Sequence, residues 1–168
     1  IMIAGGTGVS GEASYIQKIG DKYYLWLSYG GLEAAGGYNM RVFSSDKITG
    51  PYKDISGRDA RYGMYNASVI NSGAGKINGS TGARQMTYYK WNFMNYGYVA
   101  EGHNSAFVDA DGKSFVVYHT RFNNRGEVHE VRVHQMFEAK NGGLVTAPFE
   151  YSGETLADKA YDTSDVTG

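Results

Sequence analysis

The sequence predicts an all-β chain built from short antiparallel hairpins. Three observations carry that prediction: apolar residues alternate with a period of two, helical periodicity is scarce, and one stretch of the chain repeats another. Fifteen Tyr and 24 Gly stand beside only 2 Pro and no Cys in 168 residues. Such a composition suits pleated strands and tight turns rather than a disulfide scaffold or proline-rich disorder.

Residues 14–19, 23–29 and 39–44 are predicted strands, each rich in aromatic or β-branched side chains, with Gly20-Asp21 turning the first pair. Residues 105–109, 114–120 and 130–137 carry the same pattern, with Asp111-Gly112 and Asn141-Gly142 as hairpin turns. Gly11-Glu12-Ala13-Ser14 can be laid over Gly102-His103-Asn104-Ser105, a shift of 102 − 11 = 91. Without a gap, Lys22 then meets Lys113, Tyr24 meets Phe115, Leu25 meets Val116 and Arg41-Val42 meets Arg132-Val133. Gly50-Pro51-Tyr52 and Ala147-Pro148-Phe149 follow at a slightly larger offset. Each copy is three strands plus a fourth, over residues 11–55 and 102–153, the size of a propeller blade. Propellers close with about 4–8 blades, so two blades imply further chain. Ile1-Met2-Ile3, with neither an initiator methionine nor the zones of a signal peptide, reads as a start within a longer protein.

Residues 56–101 separate the copies and are too long for a plain loop. They hold Tyr62, Met64, Tyr65, Tyr88, Tyr89, Trp91, Phe93, Met94, Tyr96 and Tyr98. These side chains either stack on sugar rings through their apolar faces or cover the junction between blades. Past Gly153 the chain turns polar and acidic through Asp158, Asp162 and Asp165, as a linker does. A net charge of −1 leaves no electrostatic footprint for nucleic acid or an anionic membrane. No apolar run reaches the about 18 residues of a membrane span. The stretch from Gly5 to Gly11 lacks the lysine and following helix of a phosphate loop.

In a propeller the first strand of each blade lies nearest the axis, so matched positions share radius and height. Glu12 and His103 are matched by the repeat, and both are expected to open an innermost strand near the axial mouth. A carboxyl group partly desolvated there has the chemistry of a general acid; without the repeat, Glu12 is a solvated strand-end residue. His103, between Gly102 and Asn104, is either a metal-associated imidazole or a satisfied structural histidine. His129 and His134 are five apart, an odd spacing that puts them on opposite faces of a strand, and packing is the default role of His119.

Several stretches resemble the glycoside hydrolase family 43 arabinanases. Gly11-Glu12-Ala13-Ser14-Tyr15-Ile16 resembles the segment carrying that family's general acid. Tyr29-Gly30-Gly31-Leu32 and Gly36-Gly37-Tyr38-Asn39-Met40-Arg41-Val42-Phe43 resemble the loop and next strand of the same blade. Gly97-Tyr98 and Gly102-His103-Asn104-Ser105-Ala106-Phe107 resemble the segment whose histidine faces a metal ion. Tyr118-His119-Thr120-Arg121-Phe122 and the stretch from His129 to Phe137 are similar to further strands. Ala100-Glu101 departs from the family's tendency to Ser-Pro before the glycine, an extra carboxylate that bears on subsite charge or metal hydration.

The resemblance implies a five-bladed β-propeller, with residues 1–155 its C-terminal part and 156–168 a linker toward a C-terminal β-domain outside this sequence. It implies a secreted or periplasmic enzyme that cleaves α-1,5-L-arabinan or arabino-oligosaccharide with inversion. Glu12 is then the general acid, His103 the metal-associated residue, calcium the expected ion held largely through water, and Trp91 and Asn104 the candidate substrate contacts. The base and the aspartate that tunes the acid belong to earlier blades, so an N-terminal propeller portion is the expected partner, with no role for nucleic acid or membrane. Endo or exo action is left open. The alternative is a non-catalytic carbohydrate-binding β module in which Glu12 only accepts a hydrogen bond.

Overall fold

The computed structural model describes residues 1–5, 11–62, 81–86 and 88–153. Met64, Tyr65, most of the stretch from Gly5 to Gly11 and the linker at 156–168 lie outside the described residues. Among the described residues, eight strands form two four-stranded antiparallel sheets with meander order. The first holds β1 (Glu12–Ile19), β2 (Lys22–Tyr29), β3 (Asn39–Ser45) and β4 (Ala83–Arg84). The second holds β5 (Tyr98–Val108), β6 (Ser114–Phe122), β7 (Glu130–Glu138) and β8 (Leu144–Thr146).

The turns form where the sequence places them. Ile19 pairs with Lys22 across Gly20-Asp21, and Gly20 takes a left-handed φ of 54° that a Cβ would resist. In the matching turn, Asp109 Oδ1 accepts the amides of Asp111 and Lys113 at 3.0 and 2.8 Å, while Gly112 supplies the positive φ.

Alternation along β2, β3, β6 and β7 sends one face of each sheet toward the other. Trp26, Met40 and Val42 meet Ala106, Val116, Tyr118 and Met136 in a shared core. The other face of the first sheet is covered by Tyr52 and Ala60, which pack on Leu25, Leu27, Tyr29 and Phe43. Both faces of β2 are therefore buried, and its last six residues carry no exposed position. Among the described residues the far face of the second sheet is covered only in part: Tyr151 packs on Phe115, while Phe107, Val131 and Val145 stay exposed.

Two expectations need correction. The fourth strand of the first sheet is Ala83–Arg84, which pairs with Val42 and Arg41, and so comes from beyond residues 11–55; Lys53 adds only an isolated bridge to Ser44. The shift of 91 holds for the outer hairpins, where Trp26↔Val42 corresponds to Val117↔Val133. It fails by one residue at the innermost strands. Ser28, whose counterpart at that shift is His119, pairs with Glu12, whereas His119 pairs with Gly102. Glu12 thus corresponds to Gly102, and the left-handed Ala13 (φ 51°) to the left-handed His103 (φ 47°). The cause is the first hairpin turn, which holds two residues between Ile19 and Lys22 but three between Asp109 and Lys113, so the innermost strands match at a shift of 90 and carry the same β-bulge.

Candidate active site

β1 and β5 are the first strands of their sheets and pack against each other, so Glu12 and His103 are brought to the same end of the molecule. Both are exposed. Glu12 Oε1 accepts a 2.5 Å hydrogen bond from Tyr38 Oη. Tyr38 itself is 0% exposed, so it reaches Glu12 from inside the protein. Burial, reinforced by the Glu12 carboxylate, pushes the phenol pKa well above its ordinary value, and Tyr38 remains a donor.

The loop before Tyr38 is fastened to the second sheet. Arg121 Nε donates to the Leu32 carbonyl at 2.9 Å, and the Ala34 amide donates to Glu127 Oε2 at 3.0 Å. Asn39 then holds the loop exit, donating to the Gly37 carbonyl at 2.9 Å. This places the Tyr38 ring flat over His119, with centroids 5.5 Å apart and planes 10° from parallel. His119 stacks in turn on His129 at 4.5 Å and lies 6.1 Å from the His103 ring. Burial pushes the His119 pKa down to about 4, helped by His129, His103 and Arg121 and opposed by Glu12. A neutral imidazole therefore sits at the centre of the cluster at neutral pH. Its buried Nδ1 has no hydrogen-bond partner among the described residues.

His103 joins this cluster through its backbone as well, because its amide donates to Ser28 Oγ at 2.8 Å. No described group of three or more His, Cys, Asp or Glu side chains converges as a metal cage would. The exposed His103 imidazole fits a cation as a single ligand of an otherwise hydrated ion. His134 is elsewhere, fully buried, with Nδ1 2.8 Å from the Ala147 carbonyl. It shares nothing with His129, as their spacing requires.

Of the candidate substrate contacts, Asn104 follows His103 on β5, and Trp91 lies at the far edge of the sheets. Asn104 is buried, and neither atom of its amide has a hydrogen-bond partner among the described residues. Trp91 stacks on Phe149 at 5.2 Å and Phe93 at 6.5 Å. It lines a cavity of about 310 Å³ with Arg84, Gln85, Tyr89 and Thr146, at the β4 and β8 edges of the sheets, opposite β1 and β5. Glu101 is wholly buried on β5, two residues before His103. Burial pushes its pKa up to about 7, and the Glu101 and Tyr88 amides and the Arg84 charge only partly offset this. Those amides lie near but poorly aligned, and neither carboxylate oxygen has a well-formed hydrogen bond among the described residues.

No family model matches the chain. It is 46% identical over 153 residues to extracellular endo-α-(1→5)-L-arabinanase 2 of Bacillus subtilis (strain 168), covering 87% of this chain and 31% of that protein. The crystal structure of YxiA, a glycoside hydrolase family 43 protein from Bacillus licheniformis, superposes with a TM-score of 0.76 at 40% identity. That match covers 92% of this chain and 35% of the other. This chain belongs to the family 43 arabinanases. An α-L-arabinanase of Cellvibrio cellulosa, solved with arabinohexaose, matches at 27% identity and a TM-score of 0.57, over 82% of this chain and 36% of that one. The chain spans about a third of the length of the curated arabinanases it matches. Its two sheets are two blades of the five-bladed arabinanase propeller.

Tyr38 and His119 are the site residues that sequence reasoning passed over. Tyr38 stood inside a stretch read as loop and strand, and His119 was assigned to packing. The one available signal was the Gly36-Gly37 pair, which marks a tight approach just before Tyr38.

Proposed function

We propose that this chain is the acid-bearing part of a secreted enzyme that hydrolyses α-1,5-linked L-arabinan with inversion of configuration. The observation that carries the reading is the Glu12 carboxyl, exposed at the head of an innermost strand and gripped on one oxygen by a buried phenol. Glu12 in its acid form gives its proton to the glycosidic oxygen as the bond from the anomeric carbon breaks, and is left as carboxylate. Water enters from the opposite face of the sugar and loses its proton to a base carried by the N-terminal propeller portion. An inverting pair of this kind stands about 6.5–9.5 Å apart.

His103 is the residue that would hold calcium, with water completing the shell. Such an ion supplies fixed positive charge and orders its bound waters. Trp91 and Asn104 are the proposed sugar contacts, for arabinan or for arabino-oligosaccharides of the kind bound by the Cellvibrio enzyme. The neighbours named extracellular support secretion; no described helix is long and apolar enough to cross a membrane.

The test is leaving-group dependence in the complete enzyme. Glu12→Gln should cut turnover of arabinan by about 10²–10⁴-fold, while an aryl arabinofuranoside, whose phenolate departs unaided, should lose far less. Equal losses on both substrates, expressed mainly in KM, would instead make Glu12 a binding residue, as in a non-catalytic module.

A further inference from the structure

Glu12 is held from inside the protein by a buried donor. The Tyr38 phenol is wholly buried, and it directs its hydrogen to Glu12 Oε1 at 2.5 Å. Beside that contact the His103 backbone amide donates to Ser28 Oγ at 2.8 Å and ties β5 to β2. The fold holds both contacts. Ser28 pairs with Glu12 across β1 and β2, and the left-handed φ of 47° at His103 belongs to the bulge that carries its amide. Gly102 leaves room for the phenol, since a Cβ there would stand 2.3 Å from Tyr38 Cε1 and 3.1 Å from Ser28 Oγ.

We propose that Tyr38 is a positioning residue for the acid: its buried phenol donates to Glu12 Oε1, so the transferable proton resides on Oε2. This rests on the reading of Glu12 as the general acid. An unconstrained carboxyl group divides its proton between two oxygens and two orientations, and only one of them faces the leaving oxygen. The bond from Tyr38 removes that division before substrate arrives. The same bond then stabilises the carboxylate formed when the proton has gone, since a hydrogen bond to an ionised acceptor is stronger than one to a neutral acceptor. Being wholly buried, Tyr38 does not touch substrate, and its effect passes through Glu12 alone.

The experiment compares Tyr38→Phe, Gly102→Ala and Glu12→Gln in the complete enzyme on linear arabinan and on an aryl arabinofuranoside, with thermal unfolding of each. Phenylalanine keeps the ring over His119, so the fold should persist. Tyr38→Phe is expected to lower kcat on arabinan by about tenfold or more with KM little changed, as loss of a hydrogen bond to a charged group would. The aryl substrate should lose less than about threefold, as for an acid whose leaving group needs little help. Gly102→Ala, whose Cβ presses on the Tyr38 ring, should show the same split, and it decides the matter should Tyr38→Phe unfold. The proposal is overturned if Glu12→Gln discriminates between the substrates while Tyr38→Phe and Gly102→Ala slow both equally or neither. Loss of discrimination in Glu12→Gln itself would instead reject the acid reading on which the proposal stands.

Discussion

Gly102 lies against the ring of Tyr38 so closely that a Cβ there would stand 2.3 Å from Cε1 and 2.6 Å from Cδ1 of the phenol. Its φ is not left-handed, so the demand for glycine comes from this contact and not from backbone strain. Gly102→Ala must push the Tyr38 ring, and that ring cannot retreat freely because His119 lies flat against it. We expect a loss of about 1–3 kcal/mol, the usual range for overpacking, and a fall in arabinan turnover as Tyr38 Oη leaves Glu12. Thermal unfolding and kcat measured together check this. An alanine variant with unchanged stability and rate would mean that the ring moves without consequence.

Much of this was legible in the sequence because the outer hairpins are encoded by alternation and by turn residues. Trp26, Val42, Val117 and Val133 fall on the register that the repeat requires. Glu12 was legible as a strand-head carboxylate. The bulges at Ala13 and His103 were not, since a bulge is a backbone event that leaves the side-chain pattern intact. The counterpart of Glu12 moved from His103 to Gly102 because the turn from Asp109 to Lys113 holds one residue more than that from Ile19 to Lys22. β5 also begins at Tyr98 rather than Ser105, because its two irregularities erase the period of two over its first half. Ala83–Arg84 is too short to carry any period. His119 became central only through Tyr38, His103 and His129, three partners from separate parts of the chain, and no local pattern announces such a meeting.

The His103 side chain provides the second prediction. In the complete enzyme His103→Ala should reduce bound calcium and slow turnover without changing the fold, because the imidazole is exposed while the link to Ser28 is made by the backbone. Metal analysis after dialysis, set beside thermal unfolding, separates the two roles of this residue. Unchanged metal content would remove His103 from the metal site.

The partly covered face of the second sheet leads to the third. Phe107, Val131 and Val145 expose apolar surface of the kind that another blade would cover. The 168 residues produced alone should therefore self-associate and show no arabinan hydrolysis, the base being expected elsewhere in the propeller. Light scattering and a reducing-sugar assay test both parts. A monodisperse, fully active chain would defeat the proposal of a divided site.

The last prediction concerns Glu101, whose carboxyl is surrounded by Arg84, Tyr88, Tyr89 and Tyr118. Burial raises its pKa from 4.5 to about 7. Between these values the unfolded chain has lost the proton and the folded chain keeps it, so the folded state binds more protons and its stability falls as pH rises. The loss begins near the unfolded value and is complete above about pH 7. Its ceiling is about 3 kcal/mol, from about 1.36 kcal/mol for each pKa unit. Glu101→Gln replaces the titrating group with a neutral one of similar shape and should abolish this contribution. The melting temperature of the variant should therefore gain on that of the unmodified enzyme between pH 5 and pH 8, with the gain levelling off on the alkaline side. Other titrating groups are shared by the two proteins and cancel in the difference. A constant offset across that range would show that Glu101 ionises in the folded enzyme as readily as in the unfolded chain, and that its burial is relieved when the propeller is complete.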